Sequence, residues 1–390
     1  MKIRRRHKIV KSMVSPFIMP VLNRKFNLCI KKSELKPPFL VVANHASDFD
    51  AFFVSAAFGC PIYFVMSDHV SSIPVAGKLI EFFVRPLPIT KSSLDVGTVR
   101  EIISVVNQGG AVGIFPEGNK SFAGDMSFIK PSIAKLAKKL NVPLVIFNII
   151  GGYFSQPRWG ETKRKGRICA HVAKVIEPQE LEKMNVKQIY KAIKTNLSVN
   201  AYDEQEKDLV HFSGKKLANG IESMLYACPE CGAIGTIRSQ GDRFWCSACG
   251  DSNKYLDTGY VQGNHFERLN EWDKWQKQHI FDLKIESKPN DEVLLHDAGW
   301  RVEQKRTKYK NKKLGIFETF LFSDRLLIAN KKQRFEVGID KVAGIAIEGA
   351  CGLQLWLKTG EVFRLKNAAP VSALKYADFI WALQKKEFLF

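Results

Sequence analysis

A histidine and two carboxylates stand where an apolar run stops, in Val41-Val42-Ala43-Asn44-His45-Ala46-Ser47-Asp48-Phe49-Asp50. An imidazole titrates near neutrality, and a neighbouring carboxylate fixes its tautomer and stabilises the imidazolium formed on proton uptake. Ser47 is the one hydroxyl close by. Its type, like that of Asp48, suits capping of a helix that the following apolar spacing predicts over Phe49–Phe58. With no dedicated nucleophile, His45 and Asp50 read as a general base and its orienter, a device worth about 10²–10⁴ in rate. On a continuous helix, positions five apart point about 140° away from each other. A strand-to-helix turn removes that obstacle, so Asp50 can fold back onto His45. The competing reading of these residues is a capped helix with a satisfied histidine.

The layout repeats at Gly113-Ile114-Phe115-Pro116-Glu117-Gly118-Asn119-Lys120-Ser121, an apolar run followed by an acidic turn and a cation. Gly118 allows backbone to approach a ligand closely, and Lys120 beside it suits a phosphate. Between the two motifs, Phe82-Phe83-Val84-Arg85 ends another apolar run in a guanidinium, a bidentate phosphate donor. Arg85 and Lys120 also fit ordinary surface cations. A second chemistry is written in Cys228-Pro-Glu-Cys231-Gly and Cys246-Ser-Ala-Cys249-Gly. Each pair offers two thiolates to one ion, so the four predict one structural zinc with no open position, and an iron site is the alternative.

Positioning these groups requires strands that end together. Phe39–Ala43, Pro61–Met66, Ala111–Phe115 and Pro143–Ile150 read as buried strands, and Asp95–Gln108 and Ser132–Leu140 carry helical spacing. Strands alternating with helices predict an α/β domain with a parallel or mixed sheet, whose ligands gather at the carboxyl ends of the strands. The domains expected are a basic amphipathic segment at 1–36, an α/β domain at 37–220, a zinc ribbon at 221–262 and a small β-rich domain with a terminal helix at 290–390. Residues 204–220 read as a polar connector. Strand-like runs in the tail are Phe317–Phe322, Arg325–Ile328, Arg334–Val337, Gly352–Leu357 and Glu361–Leu365, and Ser372–Gln384 repeats at helical intervals.

The 390 residues carry a net charge of +20, which implies an anionic partner. Eleven Lys or Arg against one acid place half of that excess in residues 1–36. The apolar stretch Met13–Leu22 lies between these clusters, broken by Pro16 and Pro20 and far short of the roughly 20 residues needed to span a bilayer. Such a segment suits an anionic membrane surface, and a solvated tail over a core helix is the alternative. Further basic runs lie at Arg158–Arg167 and Lys305–Lys313; each fits either a phosphate-facing loop or an exposed one. The scattered remaining cysteines point to a reducing compartment. The expected location is therefore cytoplasmic, peripheral on the inner face of the membrane. A basic zinc-ribbon protein that binds nucleic acid is the rival reading, disfavoured because residues 228–250 hold only Arg238 and Arg243, opposed by Glu230 and Asp242.

The motifs His45-x-x-x-x-Asp50, Phe82-x-x-Arg85 and Phe115-Pro-Glu-Gly-x-x-Ser121, in this order, resemble those of the glycerolipid acyltransferases. The resemblance covers about residues 37–180. It implies that His45 deprotonates a glycerol hydroxyl, which attacks an acyl thioester carried by coenzyme A or acyl carrier protein. Asp50 would orient His45, Arg85 would bind phosphate, and Glu117, Gly118 and Lys120 would shape the acceptor pocket, with no catalytic cofactor. The implied acceptor is a lysophospholipid, lysophosphatidic acid first, with glycerol-3-phosphate or another lysolipid as alternatives. Two departures stand: the family's Thr-Arg is here Asn119-Lys120, which keeps the charge without the forked geometry, and its Val-Pro-x-x-Pro motif is partial at Val142-Pro143. The tail resembles a pleckstrin-homology-like barrel in strand count and final helix.

Overall fold

The computed structural model describes residues 19–67, 87–89, 96–305 and 311–385. The chain forms two compact units, one running to residue 157 and resuming over 163–213, the other comprising 158–162 and the chain from 214 onward.

In the first unit the short apolar runs become a seven-stranded sheet. Its strands are β1 (Leu28–Ile30), β2 (Phe39–Ala43), β3 (Ile62–Ser67), β4 (Leu87–Ile89), β5 (Ala111–Ile114), β6 (Leu144–Ile150) and β7 (Ile168–Ile176), in the order β1-β7-β6-β2-β5-β3-β4. Neighbours run parallel except β6 and β7. β2 is central and wholly buried. Because successive side chains alternate, Leu40 and Val42 enter one core with Ile102, Val105, Ile133 and Ile189, while Phe39, Val41 and Ala43 enter the other with Phe26, Phe53 and Val54. Each such Val, Leu, Ile or Phe side chain contributes about 1.5–3 kcal/mol on burial. Both faces are thereby covered, and only the strand ends are left for chemistry.

The helices Val96–Asn107 and Ser132–Leu140 fall where spacing predicted them. Three expectations are corrected. The helix expected over Phe49–Phe58 spans Asp50–Ala57, and neither Ser47 nor Asp48 caps it: Phe49 is its N-cap residue, with no side-chain cap bond. The first carboxylate of that helix has other work, described below. Within the basic segment, residues 19–26 are helical, Leu22 and Phe26 lie in the core, and β1 pairs with β7; this part is built into the sheet, and residues 1–18 lie outside the described residues. Residues 204–220 are more than a connector, since Phe212 is buried against Phe154 and Ser213 bridges to Lys165.

The second unit holds two antiparallel sheets. The smaller orders β8 (Ile237–Gln240), β9 (Arg243–Cys246), β10 (Ser252–Tyr255) and β11 (Val261–Gln262) as β11-β10-β9-β8. The larger contains β12 (Leu295–Lys305), β13 (Asn311–Leu321), β14 (Arg325–Ala329), β15 (Arg334–Gly338), β16 (Val342–Glu348), β17 (Gly352–Leu357) and β18 (Val362–Asn367), ordered β15-β14-β13-β12-β18-β17-β16. The helix Ala373–Leu383 follows, capped by Ser372, whose Oγ accepts from Lys375 N–H. The C-terminal region is thus β-rich with a terminal helix, as expected. β12 and β16 escaped notice because charged and glycine residues interrupt their apolar alternation, and β12 carries register shifts at Asp297/Trp300 and Val302/Glu303. Arg158, expected in a uniformly exposed or ligand-facing basic loop, is instead buried, donating from Nη2 to Ile347 O at 2.5 Å and from Nε to Gly349 O at 2.8 Å. Of the basic run near the tail's first hairpin, residues 306–310 lie outside the described residues.

Candidate active site

β2 and β5 are parallel neighbours, with Val42 opposite Ile114, so the turns that follow them meet at one sheet edge. His45 leaves β2 and Glu117 leaves β5. The backbone N–H of His45 donates to Glu117 Oε1 at 2.8 Å, and Ser127 N–H donates to Glu117 Oε2 at 2.8 Å. Ser121 N–H donates to His45 O at 3.2 Å. The acidic turn therefore clasps the histidine by its backbone on both sides. Burial pushes the Glu117 carboxyl up to about 7, against the lowering effect of those two amides. At Gly118, φ is +71°, which a glycine adopts without strain and which closes the Phe115-Pro116-Glu117-Gly118 turn through Gly118 N–H to Phe115 O.

The imidazole stacks on Phe115, ring centres 4.7 Å apart, and Phe115 stacks on Phe64. His45 Nδ1 lies 2.8 Å from Asp50 Oδ2. That carboxylate also accepts from Ala46 N–H at 2.7 Å, Ser47 N–H at 2.8 Å and the Ser47 hydroxyl at 2.5 Å. A fully engaged acceptor of this kind, at the favourable N-terminus of a helix, requires Nδ1 to be the donor. Asp50 is 1 % exposed, whereas the His45 side chain is 26 % exposed. Among the described residues, nothing hydrogen-bonds Nε2. The ring borders a cleft lined also by Asn44, Glu117, Ser121, Met126 and Tyr153. The arrangement leaves Nε2 able to accept a proton at the edge of the cleft.

Asn44 was not singled out from the sequence. Its side chain donates to Ile149 O at 2.9 Å and accepts from Ile149 N–H at 2.7 Å, tying the end of β2 to β6. An amide directly before the candidate histidine, at the end of an apolar run, was the available signal. Asp48, expected as a cap, instead pairs with Lys120, Nζ to Oδ1 at 2.8 Å, and accepts from Gln156 Nε2. Lys120 is thus at the site's rim beside a carboxylate. Arg85 lies outside the described residues, as does Phe82.

In the second unit, Cys228, Cys231, Cys246 and Cys249 bring their sulfurs within 4.8 Å of one another. Cys228 and Cys249 Sγ are 3.7 Å apart, and Cys231 and Cys246 Sγ 3.8 Å. Four sulfurs about 2.3 Å from a tetrahedral zinc stand about 3.8 Å from each other, so the donor set fits such an ion. Each knuckle closes through a glycine N–H, Gly232 to Cys228 O and Gly250 to Cys246 O, both glycines at positive φ. The group can hold a metal.

Residues 26–149 match the family model described as Acyltransferase. A protein named "Probable 1-acyl-sn-glycerol-3-phosphate acyltransferase" from Mycoplasma genitalium is 27% identical over 199 residues, 49% of this chain and 65% of that protein. A 1-acyl-sn-glycerol-3-phosphate acyltransferase from Borreliella burgdorferi is 24% identical over 118 residues, 29% of this chain and 47% of that protein. The chain thus covers less than two thirds of either relative. The crystal structure of the 1-acyl-sn-glycerophosphate acyltransferase of Thermotoga maritima aligns over 54% of this chain and 86% of that one at 21% identity, TM-score 0.42. The residues matched, with His45, Asp50 and Glu117 at the ends of the strands, fit the acyltransferase family model and are similar to 1-acyl-sn-glycerol-3-phosphate acyltransferases.

Proposed function

We propose that this chain is an O-acyltransferase that moves a fatty acyl group from an acyl thioester, on coenzyme A or acyl carrier protein, to the free hydroxyl of lysophosphatidic acid, giving phosphatidic acid. The observation that carries this reading is the Nδ1–Asp50 contact at 2.8 Å beside a cleft, in a domain that fits the acyltransferase family model. With Nδ1–H held by Asp50, Nε2 keeps its lone pair and takes the proton of the acceptor hydroxyl. The oxygen attacks the thioester carbonyl, the C–S bond breaks, and the leaving thiolate takes the proton from the imidazolium. Holding hydroxyl and thioester together supplies much of the remaining barrier reduction. Glu117 and Gly118 set the position of His45 and the floor of the acceptor site, while Lys120 and, by its motif, Arg85 meet the phosphate.

The four cysteines hold one structural zinc, closing a ribbon over about 221–262 that leaves no ligand position for catalysis. No described helix is long and apolar enough to cross a membrane. The basic residues of 1–36 attract the anionic inner leaflet, and the chain works at that surface from the cytoplasm, with the 290–390 domain as a pleckstrin-homology-like neighbour.

The test is thiol release from acyl thioesters across lysolipids and glycerol-3-phosphate. Lysophosphatidic acid should be turned over, and His45→Ala should lose about 10²–10⁴ in turnover while melting like the parent. Retained turnover in that variant would exclude the proposed base. Release with none of the acceptors would remove the acyltransferase reading.

A further inference from the structure

Asp48 is the one carboxylate in the His45–Asp50 turn that the reaction leaves unused. It is 56% exposed at the side chain, yet it is treated as an anion in a binding site would be. Lys120 Nζ reaches its Oδ1 at 2.8 Å, and Gln156 donates an amide N–H to its Oδ2. Next to it, the Phe49 ring gathers two more ammonium groups, Lys163 Nζ 4.5 Å and Lys25 Nζ 5.5 Å from the ring centre. The three lysines come from three separate segments: the helical residues 19–26, the turn after β5 and the stretch that leads into β7. Bringing three ammonium groups close costs Coulomb energy, and a nearby anion offsets it.

The electrostatics agree. Burial works against the ionised Asp48, but the hydrogen bond and charge of Lys120, with Gln156 and Lys163, hold its carboxyl below the ordinary value. Burial and then the charges of Lys25 and Lys120 push the Lys163 ammonium down, and of these neighbours only Asp48 opposes them.

We infer that Asp48 is an internal stand-in for a substrate phosphate, and that Lys25, Lys163 and Lys120 form with Gln156 a seat for a phosphomonoester dianion, which competes with this carboxylate for the same cations. None of Lys25, Asp48, Gln156 or Lys163 belongs to the three ordered motifs around His45, Arg85 and Glu117, although Lys163 lies in the basic run 158–167. The chemistry selects charge: a phosphomonoester carries about −1.5 to −2 at neutral pH, a phosphodiester only one charge. The seat therefore favours lysolipids with a bare phosphate headgroup over those whose phosphate is esterified twice. The inference rests on the proposed function, with the acceptor bound at the His45–Asp50 turn.

The test is equilibrium binding, without any thioester, of short-chain 1-acyl-propanediol-3-phosphate, which has the phosphomonoester and no transferable hydroxyl, to the full chain. Asp48→Asn removes the competitor and should tighten binding about two- to five-fold, the scale of an exposed ion pair. The pair Lys25→Gln and Lys163→Gln together should weaken it about two- to ten-fold. The methyl phosphodiester of the same lipid should move less than half as much in both variants. Asp48→Asn that leaves affinity unchanged or lowers it overturns the inference. So does an equal gain for monoester, diester and phosphatidylglycerol vesicles, which would mark general surface attraction. A donor KM for acyl-coenzyme A that rises in the lysine pair, with the acceptor KM fixed, would assign the cations to the donor's own phosphomonoester and equally overturn the acceptor seat. Binding as expected in a chain that never releases thiol would sink the acyltransferase reading and leave this one standing.

Discussion

The cysteine cluster and the His45–Asp50 site are both assembled from residues a few positions apart, but the chain completes them by opposite means. The two thiol knuckles are joined by an antiparallel hairpin: β8 and β9 pair from Ile237–Cys246 to Gln240–Arg243 around the two residues Gly241 and Asp242, with Gly241 at φ +66°. Turn and register follow one another locally, and the second Cys pair arrives beside the first. The histidine site needs the turns after two parallel strands, β2 and β5, whose linked groups His45 and Glu117 are 72 positions apart. Parallel neighbours can be joined only by a long crossover. The thiol cluster is therefore closed in its own hairpin, and the histidine site is held by the whole sheet.

That contrast can be tested, beginning where the largest effect is expected. If one zinc ion closes the thiol cluster, chelation or Cys231→Ser should remove several kcal/mol of the second unit's stability, about the scale on which metal binding is folding energy. Denaturant unfolding followed by tryptophan emission reads this, and equal stability with and without chelator would refute it. The histidine site should answer instead to subtle charge changes. Asp50→Asn preserves shape but offers Nδ1 an ambiguous partner, and turnover should fall about 10²- to 10⁴-fold with melting little changed; a loss of stability without loss of rate would make Asp50 a structural residue.

Smaller effects probe the clasp and the sheet. The Glu117 carboxyl, raised to about 7 from 4.5 by burial, binds more protons in the folded protein between those values. The stability it contributes is present below about 4.5 and is lost as pH rises through about 7. The difference in melting temperature between parent and Glu117→Gln should therefore shift between pH 5.5 and pH 8 in the sense that the parent loses more; a constant difference would show that the carboxyl does not titrate there. Replacing one acceptor oxygen with an amide that faces Ser127 N–H or His45 N–H should also cost about 1–3 kcal/mol. Gly113→Ala should cost a similar amount. Its added Cβ would stand 2.4 Å from the Phe64 ring, in the core beside the Phe115 stack, a clash worth about 1–3 kcal/mol. Unchanged melting would mean that Phe64 can move freely.

Much of this was legible in the residues. The β2, β5 and β6 runs stood out because strands buried on both faces are continuously apolar. The two Cys-x-x-Cys-Gly knuckles were equally plain, since their geometry is set within five residues. β7 was not seen, because Cys169, His171 and Lys174 interrupt Ile168, Ala170 and Ile176 on the face that is less buried. The basic stretch from Arg158 to Arg167 was misread as a single surface. Arg158 and Arg164 are buried while Lys163 and Lys165 are exposed, and charge alone carries no information on which way a side chain turns.

By itself, the sequence determined the local chemistry: a histidine with an acid five residues on, an acidic glycine turn after a strand, and two thiol knuckles. Those are fixed by residue type and short spacing, which the chain carries into any fold. Only the tertiary structure decided that Glu117 would grip the backbone of His45, that Asp48 would pair with Lys120 instead of capping the helix, and that Lys25 and Lys163 would meet over the Phe49 ring beside it. Each of those depends on which strands lie side by side, and parallel pairing across a long crossover is a property of the whole core.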